Sequence, residues 1–303
     1  GAERRVGHHI GALDEHPEVF RWEVHGEVHL VAHRLERAVL DVVEKELDRL
    51  ISLGVIEQVT HSAWAAPIVT VRKANGKVRV CADFSTGLNA ALEAFDYPMP
   101  LPEDIFASLN GGSIFSQLDF SDAYLQVELE DESKELVVIN THRGLFKYNR
   151  LPFGIKTAPA IFQQLMNKLC TGLKGVMCYM DDVIVVGTSV QDHRENMLAL
   201  FERIADYGFR VRLDKCSFMK SEIVFLSFIV DRNGRRPNPD KIRAIIEMKE
   251  PENESQLRSF LGMVSYYGNF MPELKTLRGP LDIVANNPKW SWQKQHTDVF
   301  LKL

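Results

Sequence analysis

A chain of 303 residues, 45% hydrophobic and 25% charged, has the composition of a globular protein and the length for two or three subdomains. No apolar run approaches a membrane span, no charged-then-apolar leader opens the chain, and Cys81, Cys170, Cys178 and Cys216 form neither a C-x-x-C nor a zinc spacing, so they read as reduced intracellular thiols. The net charge of −5 argues against a nucleic-acid binder, but the charge is unevenly spread.

Gly1 is not an initiator, which suggests a fragment or a processed product. The first 34 residues read as an irregular arm. His25, His29 and His33 would share a face on a helix and could bind metal there, but Gly26 and the alternation of Val24, Val28 and Leu30 favour extended chain. Arg34 to Leu53 predicts an amphipathic helix with Val39, Leu40, Val43, Leu47, Leu50 and Ile51 on its apolar stripe and Gly54 just past its end. Ala66 to Phe84 predicts a hairpin turning at Asn75-Gly76. Arg72, Lys73, Lys77 and Arg79 cluster near its tip with no acid among them. They could bind phosphate, or simply protect an edge hairpin from aggregation. A short helix is expected over Leu101 to Leu109, closed by Asn110-Gly111-Gly112.

Ile114, Phe115 and Leu118 read as a buried strand that ends at Asp119, with Asp122 one turn later as a cap or turn acid. From Leu136 to Met180 there is no Asp or Glu, whereas Arg143, Lys147, Arg150, Lys156, Lys168 and Lys174 fall there. A long one-sign stretch points to a polyanionic substrate. Leu151 to Pro159 is a loop feeding a helix with Thr157 or Ala158 at its N-cap and Ile161, Phe162, Leu165, Met166 and Leu169 on its buried face.

Gly175 to Gly187 is two strand-like apolar runs around Asp181 and Asp182, a tight hairpin with the acids at its turn. Such a pair is either a solvated turn or part of a cation site, since adjacent carboxylates repel and Mg²⁺ accepts a few of them together with substrate phosphates. A helix over Gln191 to Tyr207, a strand over Arg210 to Leu213, a strand pair over Ile223 to Val230 and helices carrying Ile242, Ile245 and Ile246 and then Glu254 to Asn269 complete the pattern. Trp290 to Leu303 reads as the start of a further segment.

The segments Leu118-Asp-Phe-Ser-Asp-Ala-Tyr-Leu-Gln126, Leu151-Pro-Phe-Gly-Ile-Lys-Thr-Ala-Pro-Ala-Ile-Phe-Gln163 and Tyr179-Met-Asp-Asp182 occur in one order. Val71 to Arg79 precedes them, and Phe225-Leu-Ser-Phe-Ile229 and Phe260-Leu-Gly-Met-Val-Ser-Tyr-Tyr267 follow. Together they resemble the reverse transcriptase domain of gypsy-type LTR retrotransposons, along nearly the whole chain. The resemblance implies an α+β right-hand polymerase. Fingers would be 35–95 and 127–152, the palm 96–126 and 153–236, a helical thumb 237–285, and 286–303 the start of a connection towards an RNase H domain.

It further implies RNA- and DNA-directed DNA synthesis from a primer 3′-hydroxyl. Asp119, Asp181 and Asp182, with the backbone of Phe120, would hold two Mg²⁺, for which Mn²⁺ could substitute. Lys73, Lys77, Arg79, Asp122, Ala123, Tyr124, Phe153 and Gly154 would contact the dNTP, with Tyr124 as the sugar gate. Lys215 would be a general acid for pyrophosphate, and Leu226 and Ser227 the primer grip. Template–primer and dNTPs are the implied partners, with RNase H and integrase regions on the same polyprotein and no membrane. The implied setting is intracellular, in a cytoplasmic particle or the nucleus. Two departures stand out: Asp83 to Asn89 lacks the arginine many relatives carry, and Ser227 replaces the grip's usual glycine. A decayed copy that binds nucleic acid without polymerising is the alternative.

Overall fold

The computed structural model describes residues 37–72, 78–287 and 289–303. The N-terminal arm with its three histidines, the Asn75-Gly76 turn, Lys73 and Lys77 lie outside them. The chain divides into two compact units, one up to Ser221 and one from Glu222 to Leu303.

The first unit runs α1 (Arg37–Ser52), β1 (Ile56–Val59), β2 (Ala66–Arg72), β3 (Val78–Ala82), α2 (Leu88–Ala91), α3 (Pro102–Leu109), β4 (Ile114–Asp119), α4 (Asp131–Lys134), β5 (Val138–Thr141), β6 (Gly144–Tyr148), α5 (Ala158–Cys170), β7 (Val176–Tyr179), β8 (Asp182–Gly187), α6 (Val190–Asp206) and β9 (Ser217–Lys220). Helix α1 buries Val43, Leu47 and Leu50, but Ile51 is exposed, so the stripe is narrower than the sequence suggests. Its end is a Schellman pair of bonds, Gly54 N–H to the Ile51 carbonyl and Val55 N–H to the Leu50 carbonyl, both 2.9 Å.

Two sheets organise this unit. One has the order β1-β6-β5-β2-β3 and the other β7-β8-β4-β9. The predicted hairpin is the antiparallel β2–β3 pair, and β2 also runs parallel to β5. In the second sheet β4 and β8 are antiparallel over their full lengths, from Ile114 opposite Gly187 to Asp119 opposite Asp182. Helix α6 packs on that sheet at Gly187, where a Cβ would come within 2.5 Å of the His193 backbone. Any side chain at Gly187 would push helix and strand apart.

One expectation is corrected here. Arg210 to Leu213 is not a strand: Val211 makes an isolated bridge to Phe120, and the chain then winds into a 3₁₀ turn over Leu213–Lys215. Strand β9, unforeseen, pairs with β4 instead. The fold brings acids from elsewhere in the chain to the acid-free stretch. Lys147 meets Glu135 at 2.7 Å and Glu57 at 3.3 Å, Lys174 meets Asp192 at 2.6 Å, Arg150 lies 3.8 Å from Glu128, and Arg143 pairs with Asp48.

The second unit runs β10 (Glu222–Phe225), β11 (Phe228–Asp231), β12 (Gly234–Pro237), α7 (Pro239–Ile246), α8 (Glu254–Tyr266), α9 (Leu274–Ala285) and α10 (Lys294–Phe300). It opens with a three-stranded antiparallel sheet and continues in helices, as expected for 237–285, and residues 222–236, given to the palm by the resemblance, fall within it. Helix α8 ends at Tyr266, before a 3₁₀ turn over Gly268–Phe270. The last stretch is part of this core: the Phe300 ring lies 4.5 Å from that of Phe260, and Trp292 donates to Glu250 at 2.7 Å.

Leu226 and Ser227 form the two-residue turn between β10 and β11, with φ of +45° and +65°. Tight hairpins with two left-handed residues favour Asn-Gly, because a Cβ is strained there. Hydroxyls of the same unit hold this turn: Tyr266 donates to the Leu226 carbonyl at 2.6 Å and Tyr267 to that of Ser227 at 3.5 Å. Ser227→Gly is expected to stabilise the protein by about 1 kcal/mol, since relief of the left-handed strain outweighs the added chain entropy of glycine. A denaturant titration that gives equal or lower stability would remove that explanation.

Candidate active site

Strand β4 buries Phe115, Ser116 and Leu118, while Gln117 and Asp119, two residues apart and so on one face, are half-buried at its C-terminal end. The antiparallel register sets Asp119 opposite Asp182, the first residue of β8. The hairpin closes through Met180 and Asp181 alone, with Tyr179 paired to Asp182, so only Asp181 of the acidic pair lies in the turn. Met180 takes φ +53°, a conformation uncommon for a residue with a side chain.

Asp119 and Asp181 both bear electrostatically on Asp182. Burial pushes the Asp182 carboxyl up from its ordinary range, and the charges of Asp181 and Asp119 push it further. A hydrogen bond from Gln117 Nε2 to Asp182 Oδ1, 3.0 Å, works in the opposite direction. Among the described residues no group of three or more His, Cys, Asp or Glu side chains is drawn closely enough together to hold a metal ion by itself. The donor types nevertheless suit a hard dication, because carboxylates stand at the adjoining ends of the paired central strands β4 and β8 and Mg²⁺ is held by one or two carboxylates plus substrate phosphates.

The residues that follow β4 are fixed by long-range contacts. Phe120 is buried, with its ring 5.4 Å from Phe209 and 6.4 Å from Phe162. Asp122 has φ +49° and precedes a 3₁₀ turn over Ala123–Gln126, but its side chain makes no cap bond. Its carboxylate instead accepts from Arg49 of α1 at 2.7 Å, with Arg212 at 3.9 Å, so the cap role is corrected to an ion pair. Ala123 is buried. The Tyr124 ring packs 5.0 Å from Phe153 and 5.2 Å from Phe162. Burial, then the nearby charge of Asp181, push its phenol up.

Gly154 has φ +95°, and an added Cβ would sit 3.0 Å from the Ala82 carbonyl oxygen. Asn89 ties that loop down, donating to the Gly154 carbonyl at 2.8 Å and accepting from Lys156 N–H at 2.9 Å. Arg79 lies on β3 opposite Val71. Lys215 is exposed at the end of the 3₁₀ turn, next to Cys216, whose Sγ accepts from Asp119 N–H at 3.4 Å. Leu226 and Ser227 belong to the second unit.

Sequence reasoning passed over Gln117, Gln163, Arg49 and Arg212. Gln117 had a signal, a polar residue two positions before Asp119 on the same strand face. Gln163 also had one, an amide beside the buried stripe of α5. The two arginines had none, since their partner is distant in sequence.

An α+β right-hand polymerase is the class this fold defines. Its architecture matches the foamy viral protease-reverse transcriptase solved in complex with double-stranded DNA, with TM-score 0.86, 21% identity, and 96% of this chain and 51% of that one covered. The sequence profile of the reverse transcriptase (RNA-dependent DNA polymerase) family matches residues 71–230, and the chain belongs to that family. It is 50% identical over 236 residues to the uncharacterized protein K02A2.6 of Caenorhabditis elegans, covering 77% of this chain and 18% of that protein. It is also 32% identical over 270 residues to the retrovirus-related Pol polyprotein from transposon 297 of Drosophila melanogaster, covering 86% of this chain and 25% of the polyprotein. The chain thus spans a quarter or less of these relatives. No helix among the described residues is long and apolar enough to cross a membrane.

Proposed function

We propose that this chain is the polymerase region of a retrotransposon Pol polyprotein, adding dNTPs to a primer 3′-hydroxyl on RNA or DNA templates. The observation that carries the reading is the β4–β8 register, which sets Asp119 opposite Asp182 with Asp181 in the adjoining turn. Family membership supports it, as does the ordered series of motifs around those acids.

In this reading Asp119, Asp181 and Asp182, with the Phe120 backbone, hold two Mg²⁺, for which Mn²⁺ can substitute. When bound, the ions supply charge neutralisation and activation at the attacking and leaving oxygens. The protein's part is orientation. Gln117 holds one Asp182 oxygen. The ion pair between Asp122 and Arg49 fixes the turn whose backbone at Asp122 and Ala123 borders the triphosphate. Tyr124, wedged between Phe153 and Phe162, closes the space beside the sugar 2′ position. Phe153 and Gly154 line the base pocket, and Lys73, Lys77 and Arg79 meet the outer phosphates. Lys215 gives a proton to the leaving pyrophosphate, and the Leu226–Ser227 turn carries the primer strand.

The fingers are then 35–95 and 127–152, the palm 96–126 and 153–236, the thumb 237–285, and 286–303 the connection, with RNase H and integrase regions elsewhere on the polyprotein. The free state of the four cysteines supports an intracellular setting, in a particle or the nucleus. The test is dNTP incorporation on an RNA template with a DNA primer and Mg²⁺, beside Asp182→Asn. Extension by the parent alone supports the reading. Primer–template binding without extension favours a decayed copy, to which the serine in the Leu226–Ser227 turn also lends support.

A further inference from the structure

Gln163, on α5, is fully buried although it carries an amide, and every polar atom of that amide is engaged. Its Oε1 accepts the backbone N–H of Met180 at 2.6 Å. Its Nε2 donates to Asn167 Oδ1 at 2.8 Å and to the Cys178 carbonyl at 3.3 Å. Asn167 is anchored in turn, donating from Nδ2 to the Tyr97 hydroxyl at 2.7 Å. A chain of bonds therefore runs from Tyr97 through α5 to the turn of the β7–β8 hairpin. It ends on Met180, which holds φ +53° immediately before Asp181. Left-handed residues with side chains persist where their surroundings over-determine them, and a buried acceptor on the backbone N–H does that.

We propose that Gln163 is a positioning residue for the reaction: by holding the Met180 N–H it sets the turn that keeps the Asp181 carboxylate beside Asp182. This rests on the reading of Asp119, Asp181 and Asp182 as the metal-binding acids. Gln163 touches neither substrate nor ion. Its loss acts through the turn, so it lowers the rate of the chemical step and the affinity for the dication more than the affinity for dNTP.

The test uses the full chain with Gln163→Met, which keeps the volume and removes the acceptor. Hydrogen exchange of the 176–187 hairpin, Mn²⁺ binding followed by its paramagnetic resonance, and incorporation kinetics are measured together. The expected results are faster exchange at Met180, Mn²⁺ affinity weaker by about tenfold or more, and kcat lower by about 100-fold with KM for dNTP nearly unchanged. Unaltered exchange at Met180 together with parental Mn²⁺ affinity would overturn the proposal. If Gln163→Met does not fold, Asn167→Ala, which frees the Gln163 amide to turn away, is expected to give the same pattern to a smaller degree, and parental behaviour there also overturns it. A parent that incorporates nothing, or binds no Mn²⁺, defeats the reading of the site, while the exchange measurement still decides whether Gln163 holds the turn.

Discussion

Asp182→Asn is expected to lower dNTP incorporation by at least about 10³-fold, the size of a lost multi-kcal/mol charge interaction in the transition state, while the protein stays folded. The amide is isosteric and its oxygen can still accept from Gln117, so the 3.0 Å contact survives. What disappears is a negative charge that burial, Asp181 and Asp119 all disfavour. The sign of the pH effect follows. A carboxyl raised on folding contributes stability below its unfolded pKa, and that contribution is lost as pH rises through its folded value. Above that window the ionised group opposes folding. In EDTA at neutral pH the variant therefore melts no lower than the parent. With Mg²⁺ the order reverses, because only the parent gains stability from binding. Asp119→Asn and Asp181→Asn are expected to lose incorporation to the same extent. Near-normal incorporation by any of the three would sink the metal assignment.

Tyr124→Ala is expected to admit ribonucleotides, raising the rNTP/dNTP ratio of kcat/KM by about 10²-fold, the range over which a pocket without hydrogen-bonding readout rejects an added hydroxyl. The ring is braced on two sides, by Phe153 at 5.0 Å and Phe162 at 5.2 Å, and a braced ring cannot swing aside for a 2′-hydroxyl. Removing a ring packed in this way also costs stability, up to about 3 kcal/mol. The comparison is therefore made as a ratio of two substrates on one variant. Tyr124→Phe keeps the ring and should keep the discrimination. An unchanged ratio in Tyr124→Ala would remove the gate role.

The elements nearest the acids were the most legible in the sequence. β4, β7 and β8 are apolar, bounded by Gly or Asp, and separated by a turn too short to be anything but a hairpin. The failures share a physical cause. Strand β9 has one half-buried and three exposed residues, and Met219 within it takes φ +54°, so it shows none of the alternation that marks a strand. It exists because β4 offers an open edge. Arg210 to Leu213 has the residues of a strand but finds only one bridging partner, at Phe120. Arg49, 73 residues before Asp122, fixes the turn beside the site through a contact that no local pattern encodes. The amide of Gln163 was visible, but its partner Met180 was not, because a side chain that caps a remote turn leaves no periodicity.

The basic stretch between Leu136 and Met180 bears on how the protein should respond to ionic strength. The counterions released on binding are those condensed on the nucleic acid, and a cation already paired with a carboxylate neutralises little phosphate charge and so displaces few of them. Arg143, Lys147, Arg150 and Lys174 each have such a neighbour. Each unpaired cation that settles on a phosphate should steepen the fall of log affinity with log salt by about 0.9. These four should add little to that slope, so the electrostatic footprint is smaller than the run of lysines and arginines advertises, and neutralising them one at a time should leave the slope nearly unchanged.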